Sequence, residues 1–186
     1  MIYESLTCLA NELNEFFRIK LKITEDKVVI SALINLDGSV AINGENKIVL
    51  TLQNIEKESA QNNSLNIGRS LIGGGQPINI NLYILISAYF PSSNYAESLK
   101  FISYIIIFLQ NKNVFTHANT PMLDKGIDKL IFEIDNVGMD LQNNLWSTLG
   151  AKYIPSILVK MRTLTFDSTA INEIKPSVSG IKNIAD

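Results

Sequence analysis

The sequence predicts an α+β domain, an antiparallel sheet flanked by helices, on three observations. The opening residues repeat apolar side chains at helical spacing. Short alternating segments follow around tight-turn dipeptides, and one longer segment is apolar on both faces, as a covered central strand must be. With 186 residues the chain suits one domain, which removes roughly 70% of its unfolded surface from water on folding.

Ile2, Leu6, Leu9, Leu13 and Phe16, widened by Ala10 and Phe17, mark one face of the opening helix. Its acids (Glu4, Glu12, Glu15) precede its bases (Arg18, Lys20, Lys22), the order the helix dipole favours. Residues 28–34 predict a strand. Asp37-Gly38 and Asn43-Gly44 predict tight turns around a short arm at 39–42. Residues 47–55 alternate, with Ile48, Leu50 and Leu52 on one side and Val49, Thr51 and Gln53 on the other, so an antiparallel meander is expected in the first third. Residues 59–77 are polar and glycine-rich and predict a long mobile loop.

Residues 78–90 predict the central strand. Asn94 with Glu97 predicts a capping box opening a helix to about Gln110, apolar nearly all round and therefore buried or interface-forming. Residues 113–117 predict a short strand. Residues 129–137 predict another, with Leu130, Phe132 and Ile134 inward and Lys129, Glu133 and Asp135 outward. Asp140 is expected to cap a helix that runs to Leu149 and is closed by Gly150. In the last strand, 157–166, the apolar phase changes near Arg162, which predicts a bulge or an exit from the sheet. Residues 1–167 then form the domain, and 168–186, with Pro176 and Gly180, an extended arm.

Composition excludes several functions. Sixteen basic against eighteen acidic residues give a net charge of −2, which argues against a nucleic-acid partner. One cysteine and one histidine preclude a disulfide framework and a Cys/His zinc site. The acidic opening lacks the basic region of a secretory leader, and the apolar runs at 78–90 and 101–109 fall short of the about 20 residues needed to span a bilayer. Synthesis in the cytoplasm, without a membrane partner, is the expectation, and the free Cys8 suits it. Any route out of the cell is expected to use something other than a cleaved leader.

No catalytic, metal or cofactor residues are predicted. Gly68 through Gly75 has the glycine spacing of a phosphate loop but lacks the following Lys-Ser/Thr. Asp124, Asp128, Glu133 and Asp135 match no calcium-loop spacing and read as solvated positions. Cys8, on the opening helix without an adjacent cation, makes a poor nucleophile for His117 to activate. The expectation is a protein that is not an enzyme.

One stretch is strongly individual: Leu145-Trp146, Leu149, Tyr153, Pro155-Ser156, then a strand carrying Lys160 and Arg162. Taken alone, Trp146 and Leu149 are core contacts of a short helix and Pro155 begins a strand. The same Leu-Trp-x-x-Leu-x-x-x-Tyr-x-Pro-Ser pattern resembles the cap, or tail-terminator, family of phage-tail-like extracellular contractile injection systems. The opening helix, the long strand running into the second helix, and the strand before Trp146 fit the same order over residues 1–167. Val159 departs from the pattern, where an aromatic residue is common, and the chain beyond residue 167 is shorter than in many relatives.

The resemblance implies a fold like that of phage tail terminators and a structural function. Such a protein closes the inner tube and contractile sheath at the baseplate-distal end as a ring of six copies, so its partners are itself, the tube protein and the sheath protein, without cofactor. Leu145, Trp146, Leu149, Tyr153, Pro155, Ser156, Lys160 and Arg162 would serve core or interface. Ile171, Ile174, Val178, Ile181 and Ile184 would give the arm its contacts, on a neighbouring subunit or the last sheath layer, unless the arm folds back on its own domain. The competing reading is a monomeric α+β module that binds a small molecule, or an enzyme without a recognisable motif.

Overall fold

The computed structural model describes residues 1–58 and 78–166. The loop expected at 59–77 and the arm at 168–186, with all five of its Ile/Val contacts, lie outside the described residues. Helix α1 (Ile2–Leu21) buries Leu6, Leu9, Leu13 and Phe17, the stripe its spacing predicts. It lies against a six-stranded sheet: β1 (Val28–Ile30), β2 (Lys47–Lys57), β3 (Ile78–Tyr89), β4 (Val114–Thr116), β5 (Lys129–Asp135) and β6 (Ser156–Phe166), in the order β1-β2-β3-β6-β5-β4. Helix α2 (Tyr95–Asn111) shares the α1 side, and helix α3 (Met139–Leu149) lies on the other.

The α+β class stands, with one correction in the first third. β1 is parallel to β2, with Val28 opposite Ile48 and Ile30 opposite Leu50, whereas the other four pairings are antiparallel. Both predicted turns form, with Gly38 at φ 80° and Gly44 at φ 89°, values that favour glycine. Two reversals in succession restore the original direction, so the meander becomes a parallel pair. The strand expected over 28–34 ends at Ile30. Residues 31–46 instead leave the sheet as a small hairpin, in which Asn35 N–H donates to Ser39 O at 2.8 Å and Ile34 bridges Val40.

Asn14 of α1 holds β1 in place. Its Oδ1 accepts from the N–H groups of Lys27 (2.9 Å) and Val28 (2.8 Å), and its Nδ2 donates to Val28 O (3.2 Å). The side chain thus supplies the hydrogen bonds a further strand would supply. Asn14→Ala leaves these part-buried groups without that partner and should cost about 1–3 kcal/mol; chemical denaturation against wild type measures it.

Two cores result. The larger, between the helices and the sheet, contains Leu9, Leu13, Phe17, Leu50, Ile84, Ile105, Phe115, Phe132 and Met161. The smaller, on the α3 side, gathers Leu33, Val49, Leu85, Trp146 and Leu158. β3, third in the sheet, is covered on both faces as expected, since Ile84 and Ile86 belong to the first core and Leu85 to the second.

Bulges keep these faces consistent. Between β3 and β6, Ile80 opposes Leu164 and Leu82 opposes Met161, so Arg162 and Thr163 stand against Asn81 alone. That is the irregularity the phase change at Arg162 predicts, and it lets Met161 and Leu164 enter one core. A second bulge at Gln53, where Leu52 opposes Ile84 and Asn54 opposes Tyr83, was not legible in the sequence. It turns Ile55 toward the side of its partner Leu82 and sends Glu56 and Glu58 to the α3 side.

Three further local expectations need correction. The Asn94–Glu97 capping box does not form: a 3-10 turn at Ser92–Asn94 precedes α2, and Asn94 Nδ2 donates to Asn46 Oδ1 at 3.0 Å. The N-cap of α3 is Gly138 in extended conformation, one residue before the helix, so Asp140 falls inside the first turn, where its charge still suits the dipole. Ile134, expected inward, is 44% exposed, because it lies beyond Phe132, whose ring packs on Phe115 of β4, and beyond the residues of β5 that β4 pairs with.

Candidate functional site

The individual stretch of the sequence forms one continuous unit. α3 buries a single residue, Trp146, and ends at Gly150 in the left-handed conformation, φ 66°. The return loop brings Tyr153 edge-on to the Trp146 indole, ring centroids 5.5 Å apart. Pro155 then offers its carbonyl to Ala88 N–H at 2.8 Å, and Ser156 starts β6 opposite Ser87. Leu145 and Leu149 pack partly buried around the same cluster. Trp146, Leu145, Leu149, Pro155 and Ser156 are thus the hinge that lays α3 on the sheet, while Tyr153 remains 58% exposed at its margin.

Beyond this covered half the same sheet face is polar; no described helix lies on it, and Asn81 within it is buried. Alternation places Leu158, Lys160 and Arg162 on it in succession, with Leu158 in the Trp146 core. Lys160 lies 5.2 Å from the centroid of the Tyr83 ring and 3.6 Å from Glu56, to which the Tyr83 hydroxyl donates at 2.7 Å. Arg162 reaches Glu133 at 3.2 Å and Glu58 at 3.6 Å, and Asn81 Nδ2 donates to Glu58 at 2.9 Å. A lattice therefore crosses four strands, with Glu56 from β2 and Glu58 just past its end, Asn81 and Tyr83 from β3, Lys160 and Arg162 from β6, and Glu133 from β5. The hydrogen bond to Tyr83, and then the charges of Glu56 and Glu58, hold the Lys160 ammonium above the usual lysine range.

Surface ion pairs of this kind each contribute about 0–1 kcal/mol, so the lattice adds little stability. Its effect is to satisfy and nearly neutralise a sheet face on which no described helix lies. Lys160 and Arg162 were legible as singular residues. Glu56, Glu58 and Tyr83 were not, since their meeting depends on the Gln53 bulge; the polar alternation Asn79, Asn81, Tyr83 was the available signal.

The other candidate chemistry stays apart. Cys8 is buried on α1, and burial, then Glu12, pushes its thiol up to about 11 despite Lys112, whereas His117 is exposed after β4. Two pKa units above the ordinary 9.0 leave about a hundredfold less thiolate, so alkylation of native Cys8 at pH 8 should be at least that much slower than in urea; timed mass spectrometry reads it. Asp124 is engaged by Gly126 N–H at 2.8 Å and Glu133 by Arg162. Among the described residues no group of three or more His, Cys, Asp or Glu side chains is placed to hold a metal ion. No helix among them is long and apolar enough to cross a membrane. Shallow grooves flank Trp146; one of 270 Å³ is lined by Leu33, Ile34, Val40, Tyr89, Ile154 and Trp146 itself among others.

The fold and this site define an α+β protein with a covered central strand and a tryptophan-anchored helix beside a charge-paired sheet face. Residues 6–180 match the family model described as the Pvc16 N-terminal domain, and the chain belongs to that family. No curated protein matches the chain. Among solved structures the fold resembles the sheath/tube terminator of PVC, an extracellular contractile injection system, in its extended state. The TM-score is 0.55 at 14% identity, over 100% of this chain and 64% of that one. It also resembles the tube-terminating cap of the anti-feeding prophage, with a TM-score of 0.51 at 12% identity, over 96% of this chain and 59% of that one. The chain thus spans less than two thirds of either terminator. The family and fold that the sequence resemblance implies are both borne out.

Proposed function

We propose that this chain is a structural cap that terminates the inner tube and contractile sheath of a contractile injection particle, at the baseplate-distal end, as a closed ring of six copies. The observation that carries the reading is family membership over residues 6–180 together with a fold shared with two terminators. A ring repeats one heterologous contact until it closes, which calls for a folded wedge with complementary sides and no catalytic pocket. A tube end presents unpaired strand edges, and a ring seated on them stops further addition. The partners are then other copies of the chain, the tube protein and the sheath protein, and the protein is not an enzyme.

Imaging of particles that carry the chain tests the reading. Six-fold density of this chain at one particle end, and particles of irregular length when its gene is removed, are the expected results. Another symmetry there, or unchanged lengths without the protein, would overturn it.

A further inference from the structure

The hairpin over residues 31–46 ends in a built turn that holds an apolar side chain out in solvent. Asn35 N–H donates to Ser39 O at 2.8 Å, Gly38 N–H to Asn35 O at 2.9 Å, and Asn35 Nδ2 to Ser39 Oγ at 3.0 Å. Asp37 Oδ1 accepts from the Ser39 N–H at 2.9 Å and from its hydroxyl at 2.6 Å, and Gly38 completes the turn at φ 80°. Leu36 stands at this tip, fully exposed. Single exposed apolar side chains are common on protein surfaces. A turn fixed by this many hydrogen bonds differs, because it has already lost the freedom that binding would otherwise cost.

A receiving surface of matching character lies at the base of the same hairpin. The 270 Å³ groove beside Trp146 is walled by Leu33 and Val40 of the hairpin, Tyr89 of β3, Trp146 of α3 and Ile154 of the return loop, with the exposed Lys152 at its rim. An apolar cavity of about 150 Å³ admits a benzene ring, so a leucine side chain has room here. The chain's own Leu36 does not fill the groove, since the turn carries it away into solvent.

The charges match as well. Asp37, beside Leu36, is exposed, and the hydrogen bonds from Ser39 hold its carboxyl below the usual range, so it stays ionised. Among the described residues neither Asp37 nor Lys152 forms an ion pair. An acid beside the projecting side chain and a base beside the groove are placed to meet when one copy docks on another.

We propose that the tip of the 31–46 hairpin docks into the Trp146 groove of a second copy of the chain, with Leu36 filling the groove and Asp37 pairing with Lys152. Tip and groove are different surfaces, so the contact is heterologous, and each copy can give one tip and receive one. The inference rests on the cap reading and deepens it, by naming the contact that a ring would repeat.

Thiol labelling of the full chain tests it, because the buried Cys8, with its raised pKa, leaves an introduced cysteine to dominate the signal. Ala151→Cys places that cysteine in the groove. Its labelling should slow at least tenfold as the protein is concentrated from a solution that light scattering shows to be monomeric up to the millimolar range. Adding Leu36→Ser should abolish the slowing, and Leu36→Met should keep it. Excess chain with Leu36 and Ala151 intact should restore protection to the serine-bearing variant, because the tip then comes from another copy. Lys152→Glu should raise the concentration at which protection appears. Met122→Cys, 77% exposed on the α1 side, should react at one rate throughout. An introduced thiol at position 151 that stays fully reactive at millimolar concentration, or protection that survives Leu36→Ser, would overturn the proposal. Leu36-dependent protection in assemblies of a number other than six would uphold this contact and count against the ring.

Discussion

Trp146→Ala is expected to destabilise the protein by about 3–5 kcal/mol. The reason lies in how α3 is held. Trp146 is its one buried residue, and the indole fills the space between Val49, Leu85 and Leu158 while supporting Tyr153. With alanine there, little apolar area remains to hold an eleven-residue helix on the sheet. For a chain of this size each kcal/mol lowers Tm by about 2–4 °C, so a drop near 10 °C is expected. Amide exchange should show protection lost first in α3 and kept in β3. In an assembled particle, irregular lengths should accompany it. A melting point within a degree or two of wild type would mean that α3 docks without the indole.

Phe17→Ala is expected to cost a similar about 3–5 kcal/mol, but over the whole domain. Phe17 is 1% exposed and meets Phe101 of α2 edge-on at 5.1 Å, so it ties α1 to α2 above the larger core. Edge-to-face pairs add about 0.5–1.5 kcal/mol beyond area. Here denaturation should stay cooperative, with exchange rising together in α1, α2 and the central strands. The contrast between the variants reports the two cores separately: one anchor holds a single helix, the other holds a layer.

How much of this was readable differs along the chain. α1, β3 and β4 were legible because each announces itself within its own residues, by helical spacing or by strand length and flanking turns. The phase change at Arg162 was legible because a bulge must reverse the alternation that carries Met161 and Leu164 inward. The tryptophan cluster stood out as a motif, and Trp146 is indeed buried. The lattice around Lys160 and Arg162 was half legible, since its cations belong to the motif and its carboxylates arrive from β2 and β5.

By itself, then, the sequence determined where the helices and most strands lie, where the chain turns, and that one helix, α2, is apolar nearly all round. Only the tertiary structure decided that β1 runs parallel to β2, that Gln53 bulges, that Asn94 bonds to Asn46 instead of capping α2, and that Ile134 lies in the open. The division has a physical cause. Periodicity and turn chemistry act over a few residues and are present in the chain before it folds. Strand direction, register and the partner of a polar side chain are set by segments distant in sequence, and they take their values only when the two cores close.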